Sequence, residues 1–286
     1  MSGLKNSVLA CIDGSNSSSA VCDYAAWIAN TINLPLTLLH SVSNDQPPAT
    51  DLSGSIGLGA REELLSELAE LEQQRAKLLL QDGKAMLANA AKRCQEHGVS
   101  AVSTLQRHGS LAESLIDLES ETRVLVMGLR GESHDKSRFG VGHRLESVIR
   151  ALHRPMLIVN QPFIEPKNVL LAYDGSDSAN KALEMVCQST LFKQITCHVV
   201  YAGEDEDRAQ SQLSLAEQAL TKAGINTVMV KLDHSLDQGI ADLQDSNAID
   251  LMIMGAFSHS RLRDLLLGSL TSKVLQNTAK PLLLLR

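Results

Sequence analysis

One stretch of this chain is written twice. Val8-Leu9-Ala10-Cys11-Ile12-Asp13-Gly14-Ser15-Asn16-Ser17 returns as Val169-Leu170-Leu171-Ala172-Tyr173-Asp174-Gly175-Ser176-Asp177-Ser178, so Asp13 and Asp174 stand 161 positions apart. A second landmark, Val124-Leu125-Val126-Met127-Gly128, returns as Leu251-Met252-Ile253-Met254-Gly255, 127 positions on. Spacing this wide is far beyond a solenoid repeat. It indicates two duplicated domains in one chain of 286 residues, the first longer inside than the second. Each copy then carries its own version of any site.

Within a copy, short apolar runs alternate with amphipathic stretches. The first reads as strands at Val8–Ile12, Leu36–Val42, Ala101–Leu105, Val124–Met127 and Met156–Val159. Helices fall at Ser18–Ala29, Leu111–Leu118 and Leu145–Leu152, with a longer one after the second strand. The second repeats the pattern with strands near Val169–Tyr173, Cys197–Ala202, Thr227–Leu232, Leu251–Met254 and Leu282–Leu285. Near-continuous apolar strands separated by helices argue for a parallel sheet covered on both faces. The expected fold is α/β, two tandem doubly wound five-stranded domains. Residues 161–167, with Pro162 and Pro166, read as the linker between domains at 1–160 and 168–286. The extra length of the first domain, about 44–97, opens with Pro47, Pro48 and a Gly/Ser-rich stretch. It continues as a Glu/Leu/Lys-rich helix from Ala60 towards Cys94, with Leu64, Leu68 and Leu71 at helical spacing. That helix reads as a lengthened surface cover for its own sheet, with a protruding, partner-binding helix as the alternative.

Composition narrows the function. A net charge of −7 gives no electrostatic footprint for nucleic acid or an anionic membrane surface. No apolar run approaches the roughly 20 residues that span a bilayer, and the N-terminus lacks a signal-peptide core, so the expected location is cytoplasmic. Five cysteines without a C-x-x-C pair read as buried, reduced thiols. Nine histidines form no metal-ligand spacing. Gly83-Lys84 lacks the rest of a P-loop, G-x-S-x-G is absent, and no nucleophile–base pair assembles by spacing, so no catalyst is expected.

In open parallel sheets, ligands sit at the carboxyl ends of strands where the winding reverses. With a strand order of 3-2-1-4-5, strands one and four are neighbours there. Asp13 would then share a crevice with Gly128, and Asp174 with Gly255. Gly268-Ser269 before a helix offers free N–H groups and a hydroxyl at the positive end of the helix dipole, which suits phosphate. Gly128 is followed by Gly131 and then by Gly140-Val141-Gly142-His143, a variation on the same theme. Asp-Gly-Ser is also good turn chemistry without any ligand, and the run Ser15, Ser17, Ser18, Ser19 reads first as helix capping. His40 aligns with Tyr201 at the end of strand two and reads as a partly buried polar side chain before a contact to a ligand's base.

Taken together, the Val-Leu-x-x-x-Asp-Gly-Ser opening, a Gly-x2-Gly-x9-Gly-Ser/Thr loop after strand four, and a closing helix–Pro–strand resemble the universal stress protein family. The closing elements are Arg154-Pro155-Met156 and Lys280-Pro281-Leu282, and the resemblance covers nearly the whole chain twice. It implies ATP, with Mg2+ alongside, as ligand. In the second domain Asp174, Met254, Gly255, Ser258, Gly268 and Ser269 would bind it. In the first the set would be Asp13, Gly128, Gly131, Gly142 and His143. Ser258 stands where the family has its second Gly. In the first domain Gly140 and Gly142 miss the spacing and His143 replaces Ser/Thr, so the second domain is the chief expected site. The resemblance also implies strand-five edges pairing across a pseudo-two-fold, and homodimers of the whole chain. Three function classes follow: a nucleotide-binding stress regulator, a nucleotide-independent dimeric scaffold for an unidentified protein partner, and, behind both, a slow ATPase.

Overall fold

The computed structural model describes residues 6–42, 58–131, 143–234, 236, 239, 243, 248–255, 271, 273–275 and 278–285. The first repeat contributes β1 (Ser7–Cys11), α1 (Ser18–Ile32), β2 (Leu36–Val42), α2 (Leu58–Glu96), β3 (Val102–His108), α3 (Leu111–Leu118), β4 (Thr122–Gly128), α4 (His143–Ala151) and β5 (Met156–Val159). The second contributes β6 (Asn168–Ala172), α5 (Asp177–Gln188), β7 (Thr196–Ala202), α6 (Glu206–Lys222), β8 (Thr227–Leu232), β9 (Leu251–Gly255) and β10 (Leu282–Leu285). β3 runs on to His108, beyond the expected Leu105, because it pairs along the whole of β2 as far as Val42↔His108. Gln106, Arg107 and His108 are polar because β3 is an edge strand, and the apolar pattern therefore stops short of the true end.

Among the described residues ten strands form one sheet in the order β3-β2-β1-β4-β5-β10-β9-β6-β7-β8. Each half has the expected 3-2-1-4-5 order, parallel throughout. The halves meet where β5 and β10 pair antiparallel, Leu282↔Ile158, Leu283↔Leu157 and Leu284↔Met156. That pairing removes two apolar edges that would otherwise template association. Alternation along the strands sends side chains to both faces. Val8, Ala10, Val169, Leu171, Leu283 and Leu285 pack with α1, α2, α5 and α6 in one cluster. Leu9, Leu170, Leu282 and Leu284 pack with α3 and α4 in the other. Continuous apolar strands are therefore required by double burial.

The segment between the repeats is also packed. Phe163 meets Tyr24 edge to face, ring centroids 4.8 Å apart, and Asn160 donates through Nδ2 to Thr278 O and Lys280 O, both at 3.0 Å. All five cysteines are free thiols. Burial pushes the Cys197 thiol up to about 12, and burial with the nearby Asp13 carboxylate does the same for Cys11.

Candidate functional site

β1 lies between β2 and β4, and β6 between β7 and β9, so the winding reverses beside the first strand of each half. Each first strand ends two residues before its Asp. One further ladder bond, Ile12 N–H to Leu39 O at 2.8 Å and Tyr173 N–H to Val200 O at 2.9 Å, carries the backbone to the edge of the sheet. Asp13 and Asp174 come next. Gly14 and Gly175 follow at φ +78° and +74°, the left-handed region that glycine enters without strain. In both halves the carboxylate folds back on the turn, taking the N–H of Ser15 at 3.1 Å or of Ser176 at 2.9 Å.

Beyond this shared turn the two halves differ in what the carboxylate has left to offer. Asp13 Oδ1 also accepts from Ser15 Oγ at 2.7 Å and from Ser18 Oγ at 3.3 Å. Its Oδ2 lies 3.0 Å from where a Cβ on Gly131 would stand, so Asp13 and Gly131 close the crevice between them. Asp174 is exposed, and among the described residues the N–H of Ser176 is its hydrogen-bond partner. The cause is where the helix starts. Ser176 caps α5, its Oγ accepting the N–H of Ala179 at 3.3 Å. Ser17 precedes α1 in the helical region, φ −78° and ψ −16°, without a side-chain cap bond. The expected capping role of the first serine run is thus corrected: Ser15 and Ser18 donate to Asp13, and Ser17 Oγ lies 2.8 Å from Ser15 Oγ, because the later helix start brings them round to the carboxylate.

The glycine that ends strand four has a packing reason of its own. A Cβ on Gly255 would lie 2.5 Å from Ser178 O, and one on Gly128 would collide with Ser17 Oγ. At Gly255 the crowding is with backbone, so only glycine lets the start of α5 come down on the end of β9; at Gly128 the nearest atom belongs to a side chain. Met254 is 4% exposed, its side chain in the core, so it borders the crevice through its backbone. Ser258, Gly268, Ser269 and Gly142 lie outside the described residues, as does the His143 side chain, although His143 begins α4.

Tertiary packing also brings residues to the first crevice from far along the chain. His40 Nδ1 lies 2.7 Å from Ile12 O, which accounts for that side chain without a ligand. α2 crosses above the ends of β1 to β3. A Cβ on Gly83 would stand 2.7 Å from His40 Cδ2, and one on Gly14 would stand 2.9 Å from Met86 Cε. The helix is held there by Arg93, whose Nε and Nη2 each donate to Asp23 on α1 at 2.7 Å. Tyr201, the counterpart of His40, is buried at 6% exposure. A cavity of about 380 Å³ opens on the flank of the first crevice, lined in part by Ser17, Arg130, Arg93 and Asn160. Asn160 Oδ1 is buried there without a partner among the described residues. None of these contacts carries a local signal, since they join residues some 28 to 143 positions apart.

Comparison with known proteins gives one family for both halves. The model described as the universal stress protein family matches residues 6–160 and again 165–286. A universal stress protein of Synechocystis sp. is 36% identical over 288 residues, covering 99% of this chain and 100% of its own length. One of Mycobacterium tuberculosis is 22% identical across 96% of this chain and 94% of its own. Among solved structures, a universal stress protein from Archaeoglobus fulgidus superposes with a TM-score of 0.74 at 18% identity, over 99% of this chain and 98% of that one. At that identity the superposition bears on the fold alone.

Proposed function

The chain belongs to the universal stress protein family, and from that premise we propose that it is a regulatory protein binding an adenine nucleotide, ATP first, chiefly in its second domain. One observation carries the choice of domain. Asp174 presents an exposed carboxylate at the switch point with its Oδ2 open to a ribose hydroxyl, whereas Asp13 is engaged by its own serines and faced by Gly131. A carboxylate accepting two sugar hydroxyls is a charge-assisted contact that fixes a nucleoside without any chemistry on it. Met86 over Gly14 and His40 against Ile12 O further narrow the first crevice.

Among the described residues no group of three His, Cys, Asp or Glu side chains could hold a metal ion. Mg2+ therefore enters this reading as the companion of the phosphates, a usual arrangement for that ion. The reading assigns no catalytic step. No helix among the described residues is long and apolar enough to cross a membrane.

Titration calorimetry of ATP into the full chain tests the proposal. One equivalent should bind. Loss of a hydrogen bond to a charged acceptor is worth about 1.5–3 kcal/mol, so Asp174→Ala should weaken binding about 10- to 100-fold. Asp13→Ala should leave the affinity within about threefold of the parent, about 0.65 kcal/mol or less. A protein that ignores millimolar ATP overturns the reading in favour of a nucleotide-independent scaffold, and a loss confined to Asp13→Ala would move the site to the first domain.

A further inference from the structure

Among the described residues of α2, burial is confined to the C-terminal part. Its 39 residues extend about 58 Å, and burial begins at Gly83, continuing through Leu87, Ala90 and Cys94. From Ser66 to Leu79 every residue is exposed. Yet this stretch is not uniformly polar: Leu68, Leu71, Leu78 and Leu79 are 42%, 61%, 65% and 42% exposed. Leu64, Leu68, Leu71 and Leu78 recur at spacings of four, three and seven, a heptad seam in which Arg75 takes the one skipped place. A solvated helix needs no such seam, and exposed leucines in register mark a partner.

Charge identifies the partner. Residues 61–72 carry Arg61 against Glu62, Glu63, Glu67, Glu70 and Glu72, net −4; residues 75–84 carry Arg75, Lys77 and Lys84 against Asp82, net +2. Two copies side by side in parallel would stack the acidic halves on each other. Antiparallel copies match each acidic half with the partner's basic half. The other surface by which copies of such a sheet would join, the edge of strand five, is already consumed within the chain by β5 and β10.

We propose that the exposed half of α2 pairs with α2 of a second copy as an antiparallel two-stranded coiled coil centred near Gln73. Leu68 then packs against the partner's Leu78, and Leu71 against the aliphatic stem of the partner's Arg75. The contact is isologous and closes at two copies. The two bodies stand about 30 Å apart along the helix axis, one beyond each end of the seam. The pairing does not depend on nucleotide.

Sedimentation equilibrium of the full chain at micromolar concentration is the test, with Leu71→Glu/Leu78→Glu as the disrupting variant. Both positions are solvent-exposed, so the variant's far-UV circular dichroism and melting of the body should match the parent. A dimer should form, weaken as salt rises, and lose at least about a hundredfold in affinity in the variant, which removes four leucines from the seam. Orientation is read by oxidation: Leu68→Cys/Leu78→Cys should cross-link into a covalent dimer and Leu71→Cys alone should not. A monomeric parent, a dimer indifferent to the two glutamates, or ready cross-linking through Leu71→Cys would each overturn the proposal.

Discussion

Gly255→Ala adds one methyl group where the start of α5 rests on the end of β9. That Cβ would stand 2.5 Å from Ser178 O and 3.0 Å from Ala179 N, both backbone atoms. Neither can turn aside, so strand or helix must shift. Overpacking of this kind costs about 1–3 kcal/mol, and removing glycine's freedom in the unfolded chain returns about 0.4–1 kcal/mol. The net expectation is a loss of about 1–2 kcal/mol. Gly128→Ala is the matched control. Its Cβ meets chiefly Ser17 Oγ, with Ser17 Cβ and Arg130 O both at 3.2 Å, a distance that a shift of a few tenths of an ångström relieves. Ser17 can rotate, giving up its 2.8 Å bond with Ser15 Oγ, a neutral contact worth about 0.5–1.5 kcal/mol. The same unfolded-state gain offsets that loss almost fully. Urea unfolding followed by circular dichroism, compared at equal m-value, reads both changes. Gly255→Ala unfolding with the parent, or Gly128→Ala costing as much as Gly255→Ala, would refute the argument that backbone crowding holds this glycine.

Two further measurements probe what holds the helices and the core. Arg93→Met keeps the stem of the side chain and removes two charge-assisted bonds to Asp23, whose side chain is only 10% exposed. With the guanidinium itself half-exposed, the loss should be about 1–2 kcal/mol by urea unfolding; a variant as stable as the parent would show that α2 is held by its apolar face alone. Cys197 is fully buried and its thiol is pushed up to about 12, against about 8.5 in an unfolded chain. Above about pH 8.5 the unfolded state therefore holds fewer protons than the folded one, and stability falls by up to about 1.4 kcal/mol per pH unit towards pH 12. Cys197→Ala should start lower at neutral pH through the small cavity, yet lose less between pH 8.5 and 10; an unchanged alkaline slope would refute the assignment.

The duplicated Asp-Gly-Ser and the apolar alternation made both halves of the sheet legible in the amino-acid order, because strand burial on two faces and a left-handed glycine turn are local requirements. Edge strands were less legible: the polar end of β3 satisfies its backbone along β2 and needs no apolar signature. The position of both aspartates was also readable, since it follows from the turn. Their different freedom was not. It depends on α5 starting earlier in its repeat than α1 does in its own, which makes Ser176 a cap and turns Ser15 and Ser18 to Asp13. The contacts of Met86, Gly83 and Arg93 were equally hidden, being made by a helix that returns to the sheet from some 70 residues away. Sequence alone thus determined the two repeats, their run of strands and helices and the two Asp-Gly turns, because these rest on short-range pattern. How far each carboxylate is engaged was decided by tertiary structure, because it depends on side chains that only packing brings within a few ångströms of each other.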